Sequence, residues 1–131
     1  MRLLSLVLFV SLFNSLYGQQ FKVSGNYKGL GAQGMAIYTD RCFRLSNTGY
    51  CRVFDMKKAR IVGEYKLGSA NPNNHANCAS FGKEKIQGAL YPVMYISECC
   101  YPHRCFVEHI TDSSAILVQT IEACNKDRPE S

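Results

Sequence analysis

The feature that most constrains this chain is a rhythm of short β-prone runs, each closed by a turn signal. "GMAIYT" (34–39) stops at Asp40, and "RCFRLSN" (41–47) stops at Thr48-Gly49. "YCRVFD" (50–55) runs into "MKKA", and "RIVGEYKL" (60–67) into "GSANPNN". Ile, Val, Tyr and Phe fill these runs, and a turn every eight to ten residues predicts an antiparallel meander. In "YCRVFD" the side chains of Cys51, Val53 and Asp55 share one face, and those of Tyr50, Arg52 and Phe54 the other. Gly49 can take positive φ without a Cβ clash, so Asn47-Thr48-Gly49 suits a tight hairpin.

The rhythm then starts again. "HANCASFG" (75–82), "YPVMYISE" (91–98), "RCFVEHI" (104–110) and "AILVQTI" (115–121) repeat the order of the first four runs. Cys51-Arg52-Val53 and Cys105-Phe106-Val107 are 54 residues apart, and Ile61 and Ile116 are 55 apart. A nearly constant offset marks an internal repeat of four strands. No stretch beyond residue 20 has a helical period. "FGKEKIQGAL" (81–90) has room for one helical turn, which Gly82 and Gly88 weaken. The expected fold is all-β: two consecutive four-stranded antiparallel blades, about 34–67 and 75–121, forming one domain over 34–121. An entry segment (19–33) precedes it and a polar tail (122–131) follows.

"QGMAIY", "GYCRVFDMKK" and "NHANCASFG", continued by "LYPVMYISE" and "RCFVEHI", resemble secreted β-propeller repeat proteins of the kind found in Bacteroidetes-like bacteria. The resemblance covers residues 29 to 121 and implies stacked blades. It carries no catalytic residues over. Complete propellers have about four to eight blades, and repeat units bury one another's faces. Two blades alone therefore imply a partial or truncated member of such a family, or one that completes its core by self-association. A small two-sheet sandwich is the structural alternative.

The amino end reads as an export signal. Arg2 is the positive start, Leu3 to Leu12 is apolar except for Ser5 and Ser11, and a polar exit leads to Gly18. Residues 1–18 are expected to be a cleavable signal helix, too short for a comfortable membrane span. Export places the chain in the secreted, periplasmic or cell-surface space, with no stable membrane insertion after cleavage. The formal charge of +5 includes Arg2, and "KKAR" (57–60) is the densest basic spot. Beside Asp55 it reads as a solvated turn. Nucleic acid is not expected as a partner, whereas acidic glycans or anionic surfaces would feel a weak attraction.

All seven cysteines follow the signal: Cys42, Cys51, Cys78, Cys99, Cys100, Cys105 and Cys124. An odd count leaves at least one thiol free or paired with another molecule. Three of them, with His103 and His109, crowd into "ISECCYPHRCFVEH" (96–109). If Tyr101-Pro102-His103 turn the hairpin, Cys99 faces Cys105 at about 4.5–5.5 Å between Cβ atoms, near disulfide range. A Cys99–Cys105 disulfide is one expectation, and Cys100 competes for Cys105. A metal is disfavoured, because Cys99 and Cys100 point to opposite faces of a strand, and Cys105 and His109 lie four positions apart. A Cys–His nucleophile (Cys78 with His75, or Cys105 with His103) has no supporting motif. Cys42 and Cys51 read as small buried hydrophobes.

"GLGAQG" (29–34) lacks the strand and helix of a phosphate cradle. Asn71, Asn73, Asn74 and Asn77 lack the acidic partners of a calcium loop. No N-x-Ser/Thr acceptor occurs after the signal. No catalytic residue, cofactor or metal site is expected. Asp40, Asp55, Glu64, Glu98, Glu108 and Asp112 are scattered along the chain, not clustered as an acid–base pair. The expectation is a non-enzymatic binding module for a protein or glycan, with loops 69–77 and 82–90 at its rim. A fragment of a propeller hydrolase or lyase acting on glycans, and a small disulfide-stapled effector, are the alternatives.

Overall fold

The computed structural model describes residues 33–72, 75–99 and 102–122. The expected signal helix, nearly all of the entry segment and most of the tail lie outside these residues. The described residues form eight strands and no helix. The first four are β1 (Gly34–Tyr38), β2 (Arg41–Leu45), β3 (Tyr50–Asp55) and β4 (Arg60–Lys66). The second four are β5 (Ala76–Phe81), β6 (Met94–Glu98), β7 (Arg104–Ile110) and β8 (Ala115–Glu122). Each set forms its own antiparallel sheet in sequence order, and no strand pairs across the two.

Turn chemistry explains where strands stop. Gly49 takes φ +82°, and its N–H donates to the Ser46 carbonyl, closing the expected hairpin. Between β3 and β4 the Asp55 carboxylate accepts the Lys58 N–H at 2.8 Å, and Ala59 sits at φ 49°. The long connection 82–93 holds no helical turn. Instead Gly82 N–H donates to the Val93 carbonyl and Val93 N–H to the Glu84 carbonyl, tying the loop's two ends together.

The two sheets are copies in register as well as order. Phe43 faces Val53 and Leu45 faces Cys51 in the first; Tyr95 faces Val107 and Ser97 faces Cys105 in the second. Both carry a bulge at the same place, between Val53 and Phe54 and between Val107 and Glu108. A bulge adds one unpaired residue and bends its strand. Ile61 faces Phe54 and Leu117 faces Glu108, so Leu117, not Ile116, occupies the place of Ile61.

One core lies between the sheets. Ala36, Phe43, Leu45, Cys51 and Val53 come to it from the first sheet, and Ala76, Met94, Ile96, Phe106 and Ile110 from the second. Phe43, Phe81, Tyr91 and Tyr38 form an aromatic cluster there, with ring centroids 5.1 to 6.1 Å apart in tilted or edge-on contacts. The backbones also approach closely. A Cβ on Gly34 would collide with the Asn77 carbonyl, and one on Gly63 with the Asp112 carbonyl.

The faces that meet are not equivalent faces of the repeat. Cys51 and Val53 point into the core, yet their register equivalents Cys105 and Val107 lie on the far side of the second sheet. Conversely Phe106 points inward, while its equivalent Arg52 faces out of the first sheet. The sheets therefore stack head to tail, front of one against back of the next. A sandwich related by a two-fold axis would bring equivalent faces together.

Candidate functional site

Three sets of residues carry the chain's chemistry: a polar seam between the sheets, a cleft beside Tyr50, and the two outward faces. At the seam, Glu108 points inward from β7 and is fully buried. Its two oxygens accept the N–H groups of Gly68 and Ser69 at 2.9 and 2.7 Å. A buried carboxylate is tolerated when such donors saturate it. The segment leaving β4 is thereby pinned onto the second sheet. The sequence carries a signal for this: in "RCFVEHI" the alternation puts Glu108 between Phe106 and Ile110 on one face.

The other end of the seam is a charged network. Arg41 pairs with Asp55 at 2.8 Å and with Asp112 at 3.3 Å, and the Tyr91 hydroxyl donates to Asp112. The Lys58 N–H and the Arg41 guanidinium hold the Asp55 carboxyl below its ordinary range. Burial, reinforced by Asp112, pushes the Tyr91 phenol up to about 12. Nearby, Tyr65 donates to the Thr111 carbonyl at 2.9 Å, and burial raises its pKa strongly. Each group is bonded across or along the seam, which is what a structural joint requires.

A cleft of about 330 Å³ opens between the β2–β3 hairpin and the segment after β4, lined by Thr48, Tyr50, Lys66, Ala70, Asn71 and Pro72. The Lys66 ammonium stands 5.5 Å from the Tyr50 ring centroid. A smaller hollow that Tyr50 also borders is lined by Arg44, Ser46, Arg52 and Glu64, with Arg52 bonded to Glu64 at 2.7 Å. Asn71 and Pro72 belong to the expected rim loop 69–77, while Ser69 of that loop is buried at the seam. The other expected rim loop, 82–90, is mostly exposed.

The cysteine-rich hairpin is arranged differently from its expected register. Cys105 faces Ser97, and Cys99 lies beyond the end of β6. Glu98 bonds the Arg104 guanidinium at 2.9 Å through both oxygens, which fixes the mouth of the hairpin. That bond holds the Glu98 carboxyl below its ordinary range. His103 takes φ 56°. No disulfide joins Cys99 to Cys105, and Cys42, Cys51, Cys78 and Cys105 are free thiols. Cys100 and Cys124 lie outside the described residues. Cys42 and Cys51 are buried, and burial drives the Cys51 thiol up to about 12. Among the described residues, no three His, Cys, Asp or Glu side chains converge as a metal cage requires. Nor is any described helix long and apolar enough to cross a membrane.

The outward faces differ from each other. On the first sheet Ile37, Cys42, Phe54 and Ile61 form an apolar row across all four strands, with Ile37 54% and Ile61 49% exposed. Met35, Arg44, Arg52 and Glu64 make the next row. On the second sheet the rows are Cys78, Ser97, Cys105 and Ile121, then Ser80, Tyr95, Val107 and Gln119. His109 and Ile116 flank them, and the His109 Nε2 is buried without a hydrogen-bond partner among the described residues.

No protein-family model matches the chain, and no curated protein or solved structure matches it.

Proposed function

We propose that this chain is an exported, non-enzymatic binding module of β-propeller type whose ligand is an acidic glycan held at the Tyr50 cleft. The observation that carries the reading is the cleft itself. An exposed aromatic ring, a lysine beside it and Thr48 at its edge combine a flat stacking surface, a positive charge and a hydrogen-bonding group. A pyranose ring stacks on such a face, and a carboxylate or sulfate on the sugar would draw the ammonium off it. Loss of Arg2 with the leader takes the formal charge from +5 to +4, which still favours the same ligands at long range.

The leader-like residues 1–18 support export. The head-to-tail packing of two matching sheets supports blades over a sandwich. Non-enzymatic action is favoured because Asp55, Glu98, Glu108 and Asp112 are each bonded to structural partners. The test is titration calorimetry with sulfated or uronic-acid oligosaccharides. Tyr50→Ala and Lys66→Ala should each weaken binding by roughly tenfold, an ordinary loss for one stacking or charge contact. Equal affinity of both variants and the parent, or no binding of any acidic oligosaccharide by a folded parent, would defeat the proposal.

A further inference from the structure

We propose that this chain adsorbs to an anionic bilayer through the end of the molecule opposite the Tyr50 cleft, with the tip of the β5–β6 loop as its foot. The inference rests on where the loops lie and not on the glycan reading.

The loop is an addition to the repeat. β1 turns into β2 through Thr39 and Asp40 alone, whereas the equivalent strands β5 and β6 are joined by residues 82–93. Part of that length serves the core, since Tyr91 and Val93 are buried. Residues 83–90 do not serve it. All of them but Ala89 are exposed, Leu90 to 61% and Ile86 to 39%. This part of the loop is nonetheless fixed. Its neck is tied by the Gly82–Val93 and Val93–Glu84 backbone bonds. Its tip is a tight turn in which the Ala89 N–H donates to the Ile86 carbonyl and Gly88 takes φ +77°. The Glu84 carboxylate is turned back toward the neck, where it accepts the Tyr95 hydroxyl and the Lys83 N–H, each at 3.2 Å. An ordered loop with an unpacked tip, where two residues suffice elsewhere, has the form of a functional Ω-loop.

The loop does not stand alone. In a meander the links alternate between two ends of the sheet. Links 39–40, 56–59, 82–93 and 111–114 share one end, where Arg41 bonds Asp55 and Asp112, Tyr91 bonds Asp112, and the Tyr38 and Tyr91 rings meet. Tyr50 and Lys66 lie at the other end. The acidic groups around the first end are engaged: Asp55 and Asp112 by Arg41, and Asp40 by Lys57. Arg60, Lys83 and Lys85 are exposed and form no ion pair among the described residues. The Lys58 side chain is 62% exposed, 4.0 Å from Asp55. This end therefore presents surplus positive charge around two aliphatic side chains, Ile86 and Leu90.

That combination is complementary to lipid. Lysines are drawn to the phosphates of an anionic headgroup layer, and aliphatic side chains enter the boundary beneath it. A protein partner would need about 800 Å² of matched surface on each side. A convex turn tip offers little flat area, whereas a bilayer yields around it. Two aliphatic side chains anchor weakly, so the contact is peripheral, reversible and screened by salt. With this end on the membrane, the Tyr50 cleft faces away from it.

The test is sedimentation of the full chain, as secreted by an expression host, with vesicles. One set is phosphatidylcholine and phosphatidylglycerol in equal parts, the other phosphatidylcholine alone. The parent should sediment with the first and stay in solution with the second. Lys83→Gln with Lys85→Gln, and Ile86→Ser with Leu90→Ser, should each weaken the partition at least about tenfold while the β-sheet circular dichroism is unchanged. The sequence has no tryptophan, so Leu90→Trp gives a single fluorescent reporter at the tip and Thr48→Trp one at the opposite end. Emission of Leu90→Trp should shift to the blue on the anionic vesicles, and that of Thr48→Trp should not. A folded parent that stays in solution with both vesicle sets would overturn the inference. So would a blue shift of Thr48→Trp in place of Leu90→Trp. A serine pair that binds the vesicles as tightly as the parent would also overturn it, since the contact would then be ionic only, as with a soluble polyanion. Tyr50→Ala should leave the vesicle partition unchanged, so the two readings fail separately.

Discussion

The first and second sheets share strand order, register and bulge position, yet they divide the work of the interface unequally. The second sheet supplies the bulk: Met94, Ile96, Phe106 and Ile110 fill the space between, and Glu108 grips the connecting segment. The first supplies close approach, through Gly34 and Gly63, together with Phe43 and Leu45. A repeat is thus held in the backbone while its side chains diverge with the face they serve. Equivalent positions can carry opposite chemistry, as Arg52 and Phe106 do.

Paired substitutions at equivalent positions test this division. The largest effect is expected at Glu108. Glu108→Ala takes the acceptor from the Gly68 N–H and from the buried Ser69 N–H and leaves a void, a loss of roughly 3–5 kcal/mol in urea unfolding. Phe43→Ala should cost about 3–4 kcal/mol, because it empties the middle of the aromatic cluster. Its equivalent in the second sheet, Tyr95→Ala, should cost less than about 1.5 kcal/mol, since that side chain is half-buried on the outward face. Equal losses at Phe43 and Tyr95 would erase the distinction between the inward and the outward front.

Acid and alkali should attack different parts of the molecule. The carboxyls of Asp55 and Glu98 are held low by their partners, so the stability they contribute is present above their unfolded values of about 4. It disappears as the pH falls through their lower folded values. Tyr91 and Cys51 are raised to about 12, so folding favours their neutral forms. Stability should therefore decline as the pH climbs from about 9, where the unfolded thiol and phenol begin to ionise, toward 12. A thermal-denaturation series across pH reads both limbs. Arg41→Gln should reduce the Asp55 part of the acid limb without abolishing it, because the Lys58 N–H bond remains.

The equivalent cysteines sharpen the comparison chemically. Cys51 is buried, with its thiol held neutral, whereas Cys105 is half-buried on the outward face of the second sheet. In dilute native protein an alkylating reagent should label Cys105 at least about tenfold faster than Cys51, read by peptide mass mapping. The smallest expected effect is a gain. Ala59 occupies a left-handed conformation at φ 49°, and Ala59→Gly should stabilise by up to about 1 kcal/mol.

Every strand was legible in the sequence, because alternation and turn residues act locally. "YCRVFD" and "RCFVEHI" match β3 and β7 residue for residue. Gly49 was legible too, since a tight hairpin needs its positive φ. The misread register of the cysteine hairpin has a tertiary cause. Its mouth is set by the Glu98–Arg104 pair, a choice of side-chain partner that no spacing encodes. The equivalence of Ile61 with Leu117 was hidden by the bulges, which add a residue without a compositional mark. The Tyr50 cleft was half visible. The loop that borders it reads as a rim, but Lys66 and Tyr50 meet only because β3 and β4 pair there.

The grip of Glu108 on Gly68 and Ser69 has a geometric consequence. The crossing from one sheet to the next is fastened by two directed bonds at the joint, not merely by the bulk of the filling between. The angular step from unit to unit should then survive changes in how the interior is filled, and shift when the joint is cut.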